Sequence, residues 1–184
     1  MNTHIMLDIE TLGTGSNSLV LSIGAVEFSL AGTTFRQFST NLPILEQIIN
    51  PTVEVDIDTI KWWKTQSEEA KKALLNKKPS KTVKEGLMAF YDFIKTFENP
   101  VIWGNGCTFD NVIMRNLFKS FNLPFPTPYY SDMDVRTIVN VYDYEKVNSL
   151  TGKFTGTKHD AITDCLHQVK LVSNGYKLLR GDLK

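Results

Sequence analysis

The chain has 184 residues, a length that suits a single domain spanning 1–184. Its hydrophobic content of 42% is enough for a substantial core, and its 20 basic and 20 acidic residues balance, so overall charge gives no sign of nucleic-acid affinity. The N-terminus lacks a signal-peptide pattern, and no apolar run approaches the ~20 residues that span a bilayer, which predicts a soluble cytoplasmic protein with no membrane partner.

Short apolar and alternating segments predict three strands at the start of the chain. The Ala31-Gly32 pair separates the second from the third and is typical of a hairpin turn. We therefore expect antiparallel neighbours. The three strands are predicted over 5–9, 19–30 and 33–41.

Helical periodicity dominates the rest of the chain. A buried strand is predicted at 101–103, and the Gly-, Thr- and Lys-rich segment 143–158 is predicted to be a loop. Strands first, followed by helices mixed with a further strand, predict an α/β or α+β domain. The helices are predicted over 56–65, 68–75, 82–97, 109–121, 134–142 and 161–179.

Two acids, Asp8 and Glu10, lie near the end of the first predicted strand. Residues i and i+2 of a strand point to one face, so the two carboxylates project together, about 6.5 Å apart along the chain. Carboxylates that close repel each other unless a cation neutralises them or one takes up a proton. The alternative is an exposed strand end with two solvated acids.

Two further segments supply candidate acids. Asp110 follows the predicted strand 101–103 and a Gly-rich turn, where it is either an N-cap or a carboxylate presented beside the first strand. His159 immediately precedes the last helix, Asp160 is a natural N-cap, and Asp164 lies in the first turns. A lone histidine before a helix is usually structural, but here it accompanies an acid five residues later.

This set of residues resembles the DEDD 3′–5′ exonucleases of the histidine subtype. The resemblance rests on Asp8-Ile9-Glu10-Thr11, Asp110, and His159-Asp160-Ala161 with Asp164, in the family's order. It implies a ribonuclease H-like exonuclease fold, an α/β architecture with a central mixed β-sheet flanked by helices. Residues 59–70 (TIKWWKTQSEEA) and the Asp134–Thr137 segment (DVRT) are similar to a branch that contains phage exonuclease A, exodeoxyribonuclease VIII-like and RNase AS-like proteins.

The resemblance also implies a chemistry. The enzyme would release nucleoside 5′-monophosphates from nucleic-acid 3′ ends with two divalent ions, Mg²⁺ or Mn²⁺, which prefer oxygen ligands. Asp8, bridging both ions, would bind them together with Glu10, Asp110 and Asp164. His159 would act as the general base toward the attacking water, since its ordinary pKa of ~6.5 leaves it mostly neutral at neutral pH.

Candidate substrate contacts follow from the same segments. Thr11 and Leu12 would lie against the 3′-terminal nucleotide, and Phe109 is expected either to stack on a base or, preferably, to pack in the core. Trp62 and Trp63 point ~100° apart on a helix, so one is expected to pack while the other, preferably Trp63, lies near the cleft.

Charge and composition leave the substrate open. Residues 61–84 hold eight lysines and two acids, either a nucleic-acid track or a solvated helical face. DNA is favoured because of the phage likeness, which would place the protein in a host cytoplasm; an exoribonuclease is the alternative. A non-catalytic nucleic-acid-binding module and a HAD-type phosphatase are lesser alternatives, and a homodimer is possible. Asp134 and Arg136 are predicted to form a structural pair.

Overall fold

The computed structural model describes residues 2–75 and 78–183 of the chain. Its centre is a five-stranded mixed sheet in the order β3-β2-β1-β4-β5. The strands are β1 Thr3–Thr11, β2 Val20–Phe28, β3 Thr34–Asn41, β4 Pro100–Gly104 and β5 Asp132–Asp134. The helices are α1 Ile44–Ile48, α2 Ile57–Thr65, α3 Glu68–Leu75, α4 Val83–Lys95, α5 Asp110–Ser120, α6 Val135–Tyr142, α7 Tyr144–Thr151 and α8 Ala161–Arg180.

Strand pairing in the sheet changes from antiparallel to parallel at β1. β1 pairs antiparallel with β2, and β2 pairs antiparallel with β3, which confirms the predicted order of the first three strands. On its other edge β1 pairs parallel with β4, which pairs parallel with β5. The carboxyl ends of β1 and β4 therefore meet at one edge of the sheet, where an α/β fold commonly places its ligand.

Each face of the sheet is covered by a separate apolar core, which explains why β1 is apolar on both sides. Ile5, Leu7 and Ile9 face α4 and α5, whereas Met6 faces the opposite core that α6 and α8 complete. Among the described residues, no helix is both long and apolar enough to cross a membrane.

The structure corrects the predicted loop at 143–158, because Tyr144–Thr151 form helix α7. Asp143 caps this helix by accepting a hydrogen bond from the Lys146 amide, and Val147 is fully buried in the α6–α8 core. A single buried residue gives no helical periodicity, so tertiary contact decides this element. The sequence also gave no indication of α1 or β5.

Candidate active site

Asp8 and Glu10 project from the same face of β1, as the strand periodicity predicted. Along this face they follow Met6, so the apolar core of the α8 side gives way to carboxylates at the end of the strand. Asp8 lies opposite Gly24 of β2, and Glu10 lies opposite Ser22. The register shifts immediately after Glu10, where β1 leaves the regular ladder.

Gly24 allows α8 to approach this part of the sheet. A Cβ atom built on Gly24 would lie 2.7 Å from the backbone carbon of Ala161, the first residue of α8. Asp160 caps the helix by accepting a hydrogen bond from the Thr163 amide. The helix therefore begins against the glycine opposite Asp8, and its first turn presents Asp164 to the acids of β1.

Asp110 reaches the same place from β4. It is the first residue of α5, follows the turn after β4, and is only 3% exposed. A Cβ atom on Gly104 would lie 3.2 Å from Asp110 Cβ, so the absence of a side chain at Gly104 lets the helix begin close to the strand end. Because β1 and β4 are parallel neighbours, Asp110 meets Asp8 at the carboxyl edge of the sheet.

These residues line one cleft of about 600 Å³. Ligand atoms of Glu10, His159 and Asp164 all lie within 4.8 Å of one another, close enough to hold a metal ion. The other two predicted ligands, Asp8 and Asp110, line the same cleft. The four carboxylates, considered without the His159 nitrogen, form an oxygen set that fits a hard divalent cation such as Mg²⁺ or Mn²⁺.

Without a cation, burial in this cluster disfavours the charged form of every carboxylate and raises its pKa. Burial, with the negative charges of Asp110, Glu10 and Asp164, raises the pKa of Asp8 well above its ordinary value. Burial and the neighbouring Asp164 raise the pKa of Glu10 to about 8. Burial likewise raises the pKa of Asp110 to about 7 and that of Asp164 to about 6. A bound divalent cation would relieve this repulsion.

His159 is held in an unusual backbone conformation beside Asp164. Its φ is +63°, and its backbone amide donates a hydrogen bond of 2.7 Å to Asp164 Oδ2. Its ring packs edge-on against Trp62, with the ring centroids 4.8 Å apart. Burial, together with the positive charge of Lys158, lowers the pKa of His159, so the imidazole is neutral near pH 7.

The two predicted tryptophans differ in exposure and packing. Trp63 is 7% exposed, and its indole N–H donates to the Thr11 carbonyl oxygen, so most of its surface is used in packing. Trp62 is 42% exposed and contacts His159, which makes it the better placed of the two for a base. Both indoles line the cleft.

The other three predicted substrate residues differ in whether they line the cleft. Thr11 lines the cleft, and Phe109 both lines it and packs, half-buried, against the α4–α5 core. Leu12 does not line it, since its side chain packs with Leu19 and Trp63 in a neighbouring apolar cluster. Its backbone amide also donates to the Leu19 carbonyl oxygen, so the predicted grip of Leu12 on a base has no support in this geometry.

Among the cleft residues that sequence patterns missed, Gln168 and Arg136 lie beside the predicted acids. Gln168 is buried on α8, one turn after Asp164, and donates to Asp8 Oδ1. Arg136 was predicted to pair with Asp134, but the Asp134 carboxylate instead accepts hydrogen bonds from the Gly106, Cys107 and Thr137 amides. The i+4 spacing from Asp164 was the one signal in the sequence that pointed to Gln168.

Residues 3–176 match the family described as the 3′-5′ exoribonuclease Rv2179c-like domain, which is nearly the whole chain. The chain belongs to this family. It is therefore a 3′–5′ exonuclease, the activity that the family resemblance implied.

Individual relatives are distant in sequence. The exodeoxyribonuclease of Enterobacteria phage T4 is 21% identical to this exonuclease, over 96% of this chain and 90% of that protein. The nuclease domain of 3′hExo, a DEDDh family member bound to rAMP, superposes with a TM-score of 0.61 at 12% identity, covering 97% of this chain and 92% of that one.

E. coli exonuclease I in complex with a dA16 oligonucleotide superposes with a TM-score of 0.59 at 16% identity. The match covers 99% of this chain and 43% of exonuclease I, so this exonuclease spans about two fifths of that protein's length. These structural likenesses confirm the predicted ribonuclease H-like fold, a mixed sheet flanked by helices.

Proposed function

We propose that this exonuclease removes nucleotides one at a time from the 3′ ends of DNA, single-stranded or frayed, and releases nucleoside 5′-monophosphates. The observation that carries the proposal is the convergence of Asp8, Glu10, Asp110 and Asp164 with His159 in one cleft. Residues 1–184 act as one domain in this proposal.

Asp8, Glu10, Asp110 and Asp164 would hold two divalent ions, Mg²⁺ or Mn²⁺, in this proposal. When bound, such a pair stabilises charge on the attacking and leaving oxygens of a phosphodiester. The donor set supports this assignment, because four carboxylates that converge in one cleft supply the oxygen ligands that hard divalent cations prefer, and a cation would relieve their repulsion.

His159 is the proposed general base. Its lowered pKa keeps the imidazole neutral and able to take a proton from the attacking water at neutral pH. The Asp164 carboxylate accepts the His159 amide hydrogen bond, so one residue both orients the base and contributes a ligand. The exposed face of Trp62, beside His159, is the proposed stacking surface for the terminal base, with Thr11 and Phe109 on the cleft wall.

The similar proteins include observations that favour DNA and others that favour RNA as the substrate. The exodeoxyribonuclease of phage T4 and the dA16 complex of exonuclease I favour DNA. The family description and the rAMP-bound 3′hExo domain favour RNA, so a 3′–5′ exoribonuclease is the second candidate function. A non-catalytic binding module is disfavoured because all four acids and the histidine are present.

Matched single-stranded DNA and RNA oligonucleotides, labelled at the 5′ end, test the proposal in Mg²⁺, in Mn²⁺ and in EDTA. A metal-dependent ladder that shortens from the 3′ end, absent with Asp8→Ala protein, is the expected result, and the faster substrate identifies the sugar. Absence of any ladder on both strands, from protein that still binds Mn²⁺, would contradict the exonuclease assignment. The cytoplasmic location and the homodimer stay predictions.

A further inference from the structure

Six carboxylates line the cleft, and a nucleic-acid strand must bring its phosphates close to them. Among the described residues that line the cleft, Arg136 is the only lysine or arginine. It is exposed, and its positive charge acts on Asp110, lowering a carboxyl pKa that burial raises. The six acids are Asp8, Glu10, Asp56, Asp58, Asp110 and Asp164.

The position of Arg136 is set by its neighbour Asp134. One oxygen of Asp134 accepts hydrogen bonds of 3.0 Å from the amides of Gly106 and Cys107. The other oxygen accepts the Thr137 amide at 2.9 Å and the Thr137 hydroxyl at 2.7 Å. Asp134 thereby fastens the turn before Asp110 to the first turn of α6, which carries Arg136.

The guanidinium lies directly on this turn. A Cβ atom on Gly106 would be 3.2 Å from Arg136 Cζ, and the φ of Gly106 is +103°, a conformation that favours glycine. Within the described part of the chain, the Arg136 side chain lies beside the acids with no hydrogen-bond partner on its guanidinium. In the ranges 2–75 and 78–183, the ion pairs within 4.0 Å involve other cations.

Arg115, nearby in the fold, shows the contrast. Its guanidinium donates to both oxygens of Asp132 and to the carbonyl oxygens of Thr127 and Pro128, so its donors are used within the protein. Arg115 is a structural arginine. Arg136 keeps a planar, permanently charged fork directed to the cleft, and such a fork matches the geometry of a phosphate.

We propose that Arg136 binds a backbone phosphate of the strand that enters the cleft, and so offsets the repulsion between that strand and the acids. This inference rests on the proposed function, since it assigns a contact to the substrate of the same site. It divides the Asp134–Thr137 segment into a structural aspartate and a substrate-binding arginine.

The test compares Arg136→Gln and Arg136→Lys with the wild-type protein. Binding of 5′-fluorescein strands of ten thymidines and of ten uridines is followed by fluorescence anisotropy, with Ca²⁺ replacing Mg²⁺ to slow turnover. Arg180→Gln is the matched control, because Arg180 is exposed and ends α8, about 24 Å along the helix from Asp164. Mn²⁺ affinity is measured by calorimetry on the same proteins.

Loss of one charged phosphate contact should weaken strand binding by Arg136→Gln about tenfold or more. The slope of log affinity against log salt should become shallower by about 0.7. The strand affinity of Arg136→Lys should lie between those of the wild type and Arg136→Gln, because lysine keeps the positive charge but lacks the planar guanidinium. Mn²⁺ affinity should be equal to that of the wild type or higher, because a cation beside the metal ligands has been removed.

Strand affinity of Arg136→Gln equal to that of Arg180→Gln would overturn the inference. Weakened Mn²⁺ binding would also overturn it, since it would show that Arg136 positions Asp110 rather than binding substrate. Wild-type protein that shortens neither strand in Mg²⁺ would instead refute the proposed function, which separates the two failures.

Discussion

The side-chain amide of Gln168 donates a hydrogen bond of 2.7 Å to Asp8 Oδ1 and joins α8 to β1 across 160 residues of sequence. Gln168 is 4% exposed, and in the described part of the chain its Oε1 atom is buried without a hydrogen-bond partner. A neutral donor suits this place, because it orients Asp8 and lowers a carboxyl pKa that burial raises, without adding a charge.

Replacement of Gln168 by leucine should therefore lower the affinity for metal ions and leave the stability of the fold nearly unchanged. Loss of a residue that orients a metal ligand typically costs about 10–100-fold in affinity or activity. Calorimetric titration with Mn²⁺ gives the affinity, and thermal melts in EDTA check the fold. Gln168→Glu, which adds a negative charge next to Asp8, should lower the metal-free melting temperature at pH 8. Wild-type Mn²⁺ affinity in Gln168→Leu would show that Asp8 needs no such support.

The lowered pKa of His159 predicts the pH dependence of catalysis. A general base works when neutral, so kcat/KM should rise with pH, with a midpoint below 6.5, and level off near neutrality. Lys158→Met should move the midpoint upward, because a positive neighbour has been removed. His159→Ala should lower kcat by roughly 10²–10⁴-fold and change strand binding far less. Rates in saturating Mg²⁺ that do not decline at any pH below 6.5 at which the protein stays folded would rule out this base.

The clustered carboxylates predict how metal-free protein responds to pH. Their folded-state pKa values, about 8 for Glu10 and about 7 for Asp110, lie above the ~4 of an unfolded chain. A raised carboxyl pKa contributes stability at low pH that is lost as pH rises through the folded-state value. In EDTA, the melting temperature should fall between pH 5 and pH 8, and Mn²⁺ should restore it at pH 8.

Asp110→Asn provides the control for this linkage, because it removes one buried charge and keeps the side-chain shape. Its melting temperature in EDTA should fall less over the same pH range, while its nuclease activity is lost. An equal or steeper fall in the variant would show that the pH dependence arises elsewhere in the protein.

The two tryptophans should respond differently to substitution. Trp62→Ala removes an exposed stacking surface, which should weaken strand binding by ~1–3 kcal/mol and leave stability nearly unchanged. Trp63→Phe leaves the Thr11 carbonyl oxygen without its donor and should lower the free energy of unfolding by ~1–3 kcal/mol. Fluorescence anisotropy and urea unfolding measure the two effects. The opposite assignment of effects would restore Trp63 as the base contact.

The contact of Gly24 with Ala161 predicts that a single methyl group disturbs the site. Gly24→Ala would place Cβ 2.7 Å from the Ala161 backbone carbon, so α8 must shift away from β2 and from the acids of β1 beside it. Overpacking of this kind costs ~1–3 kcal/mol, and moving His159 and Asp164 should reduce kcat more than that loss of stability explains. Activity assays at a temperature where the variant is fully folded test this. Full activity there would show that α8 tolerates the displacement.

Much of the fold and the shared face of Asp8 and Glu10 follow from local sequence, whereas the resemblance to a known family implied the rest of the proposed ligand set. The period-two alternation of a strand places Asp8 and Glu10 on one face, and capping preferences locate Asp56 and Asp160 at the starts of α2 and α8. These features depend only on neighbouring residues, so periodicity and residue type are sufficient to predict them.

Tertiary structure alone decided which side chains share the cleft. Gln168 meets Asp8, Arg136 lies on Gly106, and Trp62, more exposed than Trp63, packs against His159. Helix α7 likewise depends on the burial of its own Val147 in the core formed with α6 and α8. Each of these features depends on the sheet register and on close contacts between elements far apart in the chain. Local periodicity reflects only neighbouring residues, so it cannot predict such contacts.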